Sequence, residues 1–382
     1  MNFKHIAFIA AACLALTSCN NDDPVIPEPE GTVIPDAKPN QGGSYRGFYI
    51  LNEGNMGSNK CTLDYYSYRN CTYTRNIYSA ANPNEILELG DTGSDIAVHD
   101  GRLYVVVNGS HKVEVLDAAT AVKIAKVDIS SPRSIAFDGD YAYVTSFVGG
   151  SDDNGSVVRF STRDFKPAGT VPVGKMPEGL AVRDGSLYVA NSGDYTNPEY
   201  KNYISVIDLA TFTEKGHIEA PINLQYIAFD ALGKLWVSSR GNYADKASCL
   251  VYYTPDASGT TVASQWKQSG SVDTPVSNMT MRGNSLYYIG ATYGADWKAT
   301  YTLGTVDTAT PTTPARSFIT DGTQSRIITP YCLAVNPDNG DIIVTDVKNY
   351  VSSGTLFYYS ADGKLQWTAT TGDIPGHIAF VK

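Results

Sequence analysis

Residues 94–117, SDIAVHDGRLYVVVNGSHKVEVLD, carry the pattern that most constrains this chain, because it returns at near-regular intervals. Residues 96–98, 103–107 and 113–116 read as three short strands, joined by tight turns at His99-Asp100-Gly101-Arg102 and Asn108-Gly109-Ser110-His111. Apolar–polar alternation with β-branched and aromatic residues, bounded by Gly, Asn and Asp, predicts half-buried antiparallel sheet. The first strand recurs as Ile96-Ala97-Val98, Ile135-Ala136-Phe137, Leu180-Ala181-Val182, Ile227-Ala228-Phe229, Met279-Thr280-Met281, Leu333-Ala334-Val335 and Ile378-Ala379-Phe380. The intervals are 39, 45, 47, 52, 54 and 45 residues. The second strand follows each of the first six copies, as in Leu103-Tyr104-Val105, Leu187-Tyr188-Val189 and Leu235-Trp236-Val237.

The two ends of the repeat are complementary. The last first strand, at Ile378, is followed only by Val381-Lys382, whereas the array begins with a second strand, Gly47-Phe48-Tyr49-Ile50-Leu51-Asn52. One unit is therefore assembled from both termini, which closes a ring and removes open sheet edges. Seven first strands and seven second strands at this period predict an all-β fold, a seven-bladed β-propeller over residues 45–382. An open repeat stack would leave the missing halves unexplained.

In such a blade, the approach to strand one and the loop between strands two and three share one face. The opposite face has short turns, such as Asp138-Gly139-Asp140 and Asp208-Leu209-Ala210-Thr211, and reads as structural. The strand 2–3 loops are longer: residues 146–155, 191–202, 240–247, 291–299 and 346–354. They offer Phe147, Tyr195, Tyr200, Tyr243, Tyr293, Trp297 and Tyr350, whereas the first two blades have the shorter Asn52-Glu53-Gly54-Asn55 and Asn108–His111 stretches without aromatics. Exposed aromatics among Asn, Asp and Gly on loops above a rigid ring suit a binding surface; folding back as lids on the blade below is the alternative for any one of them. Ahead of the first strands stand Ser94-Asp95, Arg133-Ser134, Glu178-Gly179, Gln225-Tyr226, Ser277-Asn278, Tyr331-Cys332 and Gly376-His377, expected to ring the channel mouth. The candidate ligand-binding set is thus those loop aromatics with Asn108, Arg133, Glu178, Tyr226, Asn278, Tyr331 and His377. Its mixed charge favours a polar, roughly neutral ligand; ordered water held at the mouth is the alternative.

Little else in the chain suggests chemistry. A net charge of −10 and pI near 5.0 argue against nucleic acid as a partner. There is no GxSxG, GxxxxGK[ST] or HExxH motif, and no metal site is expected from the five scattered histidines. Among them His377 alone merits attention, as an axial ligand or hydrogen-bond donor. Glu178 lacks an assignable partner carboxylate or nucleophile, so no enzyme activity is expected. Cys61, Cys71, Cys249 and Cys332 have no CxxC spacing and read as buried free thiols, with one disulfide open to an exported protein.

The N-terminus is an export device. Lys4 precedes an apolar run over residues 6–16, too short for a mature membrane span. It ends in Leu16-Thr17-Ser18-Cys19, which resembles a bacterial lipoprotein signal with Cys19 as the lipidated residue; an ordinary secretory signal with a chance cysteine is the alternative. Asn20-Asn21-Asp22-Asp23 is similar to the acidic tag of surface lipoproteins in Bacteroidetes-type bacteria. Residues 19–44, rich in Pro, Gly and acids, read as a flexible tether between a membrane anchor and the domain.

The repeat, as in Pro132-Arg133-Ser134-Ile135-Ala136-Phe137-Asp138-Gly139 and Leu187-Tyr188-Val189-Ala190-Asn191, resembles the YncE-like seven-bladed propeller family. Tyr49-Ile50-Leu51-Asn52-Glu53-Gly54 and Leu89-Gly90-Asp91-Thr92-Gly93-Ser94-Asp95, with the lipobox and acidic tag, resemble surface lipoproteins of the cobalamin-binding BtuG group. That resemblance implies an outer-membrane, lipid-anchored protein facing the cell exterior. It also implies a corrinoid (cobalamin) held as ligand on the open face and passed to a TonB-dependent outer-membrane transporter, with no cofactor of its own. A surface binder of glycan or protein, and a metal-dependent funnel hydrolase or lactonase acting through Glu178, are the alternatives.

Overall fold

The computed structural model describes residues 31–382, apart from Leu87 and residues 149–153, 194–199, 295–297 and 312–315. Seven antiparallel sheets succeed one another along the chain. Blade 1 consists of Pro375–Val381, Gly47–Asn52, Thr62–Ser67 and Thr72–Thr74, from the axis outward. Blades 2 to 7 begin at Gly93–His99, Pro132–Asp138, Pro177–Arg183, Leu224–Phe229, Asn278–Arg282 and Pro330–Val335, each followed by its other three strands in chain order. These innermost strands touch in succession, and Pro330–Val335 meets Pro375–Val381, which meets Gly93–His99. The ring is closed as the complementary termini require. The pairing that closes it runs from Gly47↔Val381 to Asn52↔Pro375.

Burial is deeper than alternation alone suggests. Each second strand is covered on both faces: Leu103, Val105 and Val107 pack toward blade 1, whereas Tyr104 and Val106 pack toward blade 3. That explains the unbroken apolar run Leu103-Tyr104-Val105-Val106-Val107, since a sheet sandwiched between two neighbours has no solvent face. Each of the seven core clusters fills the gap between a neighbouring pair of blades. The half-buried pattern applies to the outer strands; Lys123–Asp128, for example, buries only Val127.

The gap between blades 7 and 1 is built from aromatics. Phe48 contacts Tyr66, Tyr68, Tyr358 and Phe380 at ring centroids 5.2–6.4 Å apart. Trp367 stacks on Tyr358 at 4.6 Å and meets Tyr66 at 4.5 Å with the planes tilted by 34°. Buried Asp64 adds a polar tie, accepting hydrogen bonds from the Tyr73 hydroxyl (2.8 Å) and from Asn76 and Gly372 backbone N–H groups (2.9 and 3.0 Å). Gly372 belongs to blade 7, so this carboxylate bridges the seam.

Two expectations need correction, and one element was not anticipated. The flexible tether does not reach residue 44: Thr32–Val33 pairs with Thr72–Thr74 as a fifth strand, and Ile34 is buried against the seam cluster. The loop expected over residues 291–299 begins later and ends sooner, because Ser285–Tyr293 and Ala299–Asp307 pair as far as Tyr293↔Ala299, which makes residues 291–293 and 299 strand. A short helix, Ile77–Ala81, intervenes between blades 1 and 2, where Ile77 and Tyr78 bury themselves. Cys19 lies outside the described residues. Cys61, Cys71 and Cys332 are buried thiols, and Cys249 is half-buried.

Removing Phe48 from this seam should cost about 3–5 kcal/mol, the usual range for a buried Phe→Ala change. Urea denaturation of Phe48→Ala against wild type checks this. Ending the chain at Asp373 should remove cooperative unfolding altogether, as read by calorimetry, because Gly47–Asn52 then becomes an open apolar edge.

Candidate functional site

The site arises from a backbone irregularity repeated around the ring. In blades 3, 4, 5 and 7, two residues near the start of the innermost strand oppose one residue of the second strand. Arg133-Ser134 oppose Thr145, Glu178-Gly179 oppose Ala190, Gln225-Tyr226 oppose Ser238, and Tyr331-Cys332 oppose Thr345. Blades 1 and 2 carry a single extra residue, Gly376 and Ser94. Such bulges release a residue from the ladder and redirect its side chain, here toward the axis on the face of the strand 2–3 loops. The freed N–H groups are satisfied by hydroxyls: Ser134, Tyr226 and Cys332 donate to Thr145, Ser238 and Thr345 at 2.9–3.0 Å. Thr145 and Thr345 in turn donate to the carbonyls of Glu178 (2.9 Å) and Pro375 (2.7 Å) in the next blade.

The released side chains bind one another rather than standing open around a mouth. Glu178 accepts Nε and Nη2 of Arg133 at 3.1 and 3.0 Å, and its other oxygen lies 3.7 Å from Arg240. Arg240 also donates to Asn223 (3.1 Å) and Ser192 (3.0 Å). Opposite, His377 sits between two acids, 3.3 Å from Glu53 and 3.8 Å from Asp95. Glu53 also accepts the Tyr331 hydroxyl at 3.1 Å, and Asn278 donates to the Tyr226 hydroxyl at 3.1 Å. Three carboxylates thus face two guanidinium groups and one imidazole. With the imidazole protonated, the floor of the face is close to neutral.

The electrostatics follow from burial and pairing. Burial opposes a charge on His377 most strongly, but the Glu53 carboxylate, through both hydrogen bond and charge, and Asp95 outweigh it. The imidazole pKa therefore rises above 6.5. Burial is also the main reason that Asp95 titrates above the usual carboxylate range. The Tyr226 and Tyr331 phenols are pushed up by burial first; next come Cys332 for Tyr226 and Glu53 for Tyr331, so both remain donors or acceptors as neutral groups.

Above one side of this floor stands an aromatic group. Tyr243, Tyr293 and Tyr350 are 62%, 57% and 45% exposed. Tyr293 neighbours Tyr243 and Tyr301, and Tyr350 neighbours Tyr301 and Tyr293. Burial and then these nearby phenols push the Tyr350 pKa to about 12. Between blades 5 and 6 lies an open cleft of about 640 Å³ lined by Arg240, Tyr243, Lys246, Asp273, Ser277 and Tyr293, among others. Another groove, about 1020 Å³, runs along the outer edges of blades 1 and 7, away from this face.

The expected residues divide accordingly. Arg133, Glu178, Tyr226, Asn278, Tyr331 and His377 converge on the floor, and Tyr243, Tyr293 and Tyr350 form the wall. Phe147 lies under the Arg133 guanidinium, 5.0 Å from ring centre to carbon. Tyr200 is half-buried and bridges to Gly193. Tyr195 and Trp297 lie outside the described residues. Asn108 donates its amide to the Pro132 carbonyl at 2.8 Å, joining blades 2 and 3. The residues that ring the mouth are linked, from one blade to its neighbour, by ion pairs and hydrogen bonds. Asp95 stands at the mouth as expected, although outside the candidate ligand-binding set; Glu53, Arg240 and Tyr301 were not in that set either. Glu53 and Arg240 each follow directly on a second strand, as Asn108 and Phe147 do, and that recurrent position was the available signal.

The raised His377 pKa has a definite consequence for stability. A group with a folded-state pKa above its unfolded value stabilises fully below the unfolded value and loses that contribution as pH rises through the folded one. Wild type should therefore lose its melting-temperature advantage over His377→Gln as pH is raised from about 6 to about 9. In an NMR titration, the His377 ring protons should show a midpoint above 6.5.

Several solved structures share the fold. A quinonprotein alcohol dehydrogenase-like protein from Bacteroides thetaiotaomicron is 17% identical, with 88% of this chain and 78% of that chain covered at a TM-score of 0.58. Pseudomonas aeruginosa periplasmic gluconolactonase is 13% identical, with 88% and 99% covered, also at 0.58. Hydrazine synthase of Kuenenia stuttgartiensis is 17% identical, with 71% and 77% covered at 0.52. At these identities the likeness extends to the fold alone. No curated protein matches the chain. A family model does match, over residues 46–369, and the chain belongs to that family, described as a domain of unknown function, DUF5074.

Proposed function

We propose that this protein is a surface lipoprotein of the outer membrane, anchored through Cys19. On its open face it captures cobalamin or a related corrinoid, and it delivers that ligand to a TonB-dependent transporter without catalysing a reaction on it. The observation that carries this reading is the pairing of an exposed tyrosine wall with a broad polar floor whose charges cancel. A corrinoid is large, fringed with amides and nearly neutral. It offers a flat macrocycle to Tyr243, Tyr293 and Tyr350, and hydrogen-bonding edges to the groups around them. The lipobox, the acidic tag and the sequence resemblance to the BtuG group supply the cellular setting.

Catalysis through Glu178 is the weaker reading. Its two oxygens face Arg133 and Arg240, so it serves as a paired anion and not as a free base. Among the described residues, no three His, Cys, Asp or Glu side chains converge in a way that would hold a metal ion. The gluconolactonase likeness supports the fold of a lactonase, and an assay with gluconolactone, with and without added divalent metal, separates the two readings.

Isothermal titration of the signal-free chain with cyanocobalamin should give saturable heat at micromolar concentration, accompanied by a shift of the visible band. The absence of both overturns the corrinoid reading. Removing the rings in a Tyr243→Ala/Tyr293→Ala double variant should weaken binding at least about tenfold, given 0.5–1.5 kcal/mol per aromatic contact beyond area burial.

A further inference from the structure

Tyr350 is the wall residue whose pose most needs explaining. Its backbone has φ 63°, and Lys348, two residues earlier, has φ 54°. Side chains other than glycine disfavour this region, so such a turn persists only where its surroundings hold it. Within blade 7 the Tyr350 N–H donates to the Val347 carbonyl at 3.0 Å, which closes the turn but does not aim the ring.

Blade 1 adds two restraints, one made directly by Asn55 and one made by Glu53 through Tyr331 of blade 7. The Asn55 amide donates to the Tyr350 carbonyl at 2.9 Å. The Tyr350 ring meets the Tyr331 ring edge to face, with centroids 5.9 Å apart and planes at 88°. Tyr331 is itself held by Glu53, which accepts its hydroxyl at 3.1 Å. The backbone of Glu53 is fixed on both sides, its N–H donating to Ile374 (2.8 Å) and its carbonyl accepting from Gly93 (3.1 Å). Gly376 keeps the carboxylate's seat free: a β-carbon there would stand 2.0 Å from Oε1 and 2.6 Å from the carboxyl carbon of Glu53. Blade 1, whose own upper loop has no aromatic, thus grips the aromatic of the blade beside it.

We propose that Glu53 and Asn55 are positioning residues for the open face: from blade 1 they set the pose of Tyr350 on blade 7, with Gly376 reserving the space that Glu53 needs. The role in ligand binding rests on the corrinoid reading above, whereas the grip on Tyr350 does not. Both acting residues lie in the loop over residues 53–61, between Gly47–Asn52 and Thr62–Ser67, which is mostly polar and carries no aromatic ring of its own.

Two measurements on the full signal-free chain test this separately. Without ligand, hydrogen exchange of the segment 347–353 should quicken several-fold in Asn55→Ala and in Gly376→Ala, while exchange in blades 3 to 5 stays as in wild type. Unchanged exchange at 347–353 in a folded Asn55→Ala protein overturns the proposal, whatever the protein binds. Glu53→Gln, nearly isosteric, provides a second variant should Gly376→Ala fail to fold. With cyanocobalamin, Asn55→Ala and Tyr350→Ala should each weaken binding, and the double variant should be no weaker than Tyr350→Ala alone, the non-additivity expected when one residue acts through another. Additive losses overturn the positioning role in binding. Quickened exchange in a protein that binds no cyanocobalamin leaves the grip standing and defeats the corrinoid reading instead.

Discussion

The antiparallel ladder between Gly47–Asn52 and Pro375–Val381 is the interaction on which the rest of the molecule depends. Six other blades are contiguous in sequence and pay only the entropy of closing short turns. This one joins strands more than 300 residues apart, and loop-closure entropy grows with separation, if slowly. The aromatic density of the adjoining gap offsets that cost: Phe48, Tyr66, Tyr68, Tyr358 and Trp367 all pack there. Closure also delivers function, since the last strand carries both Gly376 and His377 to the floor of the open face. A ring left open would lack the imidazole that stands between Glu53 and Asp95.

The floor owes its character to bulges. A regular ladder would turn successive side chains into the gaps between blades, where apolar residues are needed. Doubling residues at Arg133-Ser134, Glu178-Gly179, Gln225-Tyr226 and Tyr331-Cys332 frees one side chain in each of these blades to face the axis. Thr145, Ser238 and Thr345 then satisfy the N–H groups that the bulges leave unpaired, which is why hydroxyls appear in otherwise apolar second strands. Mutual pairing of the freed charges follows from their crowding. A partly buried carboxylate such as Glu178 is tolerable beside two arginines and costly alone.

The blade count and the closure were legible because both depend on period and on complementary ends, which survive any local irregularity. Arg133, Glu178 and His377 were legible for the same reason, standing one or two residues ahead of Ile135, Leu180 and Ile378. Two of their partners were not. Glu53 and Arg240 come from the exits of second strands, Glu53 beside His377 in the blade that closes the ring and Arg240 in the blade next to that of Glu178, and only tertiary structure brings them within reach. Asn108 shows the converse, since its type and loop position suited a ligand contact while its amide is spent on Pro132. The extended hairpin around Tyr293 escaped notice because residues 291–299 combine Gly, Ala and Asp with aromatics, a composition that tertiary pairing overrides.

The edge strand Thr32–Val33 has a mechanical consequence. It runs antiparallel to Thr72–Thr74, with Gly31 at the end nearest Thr74 and Ile34 at the far end, beside Cys71. Tension applied to the chain ahead of Gly31 and directed along the strand loads this short ladder in shear, where its hydrogen bonds share the force, and only an outward pull peels them one at a time. The strand can yield without opening the ring, because blade 1 keeps its other four strands. Its detachment would lengthen the free chain ahead of the domain by a few residues and leave the propeller closed.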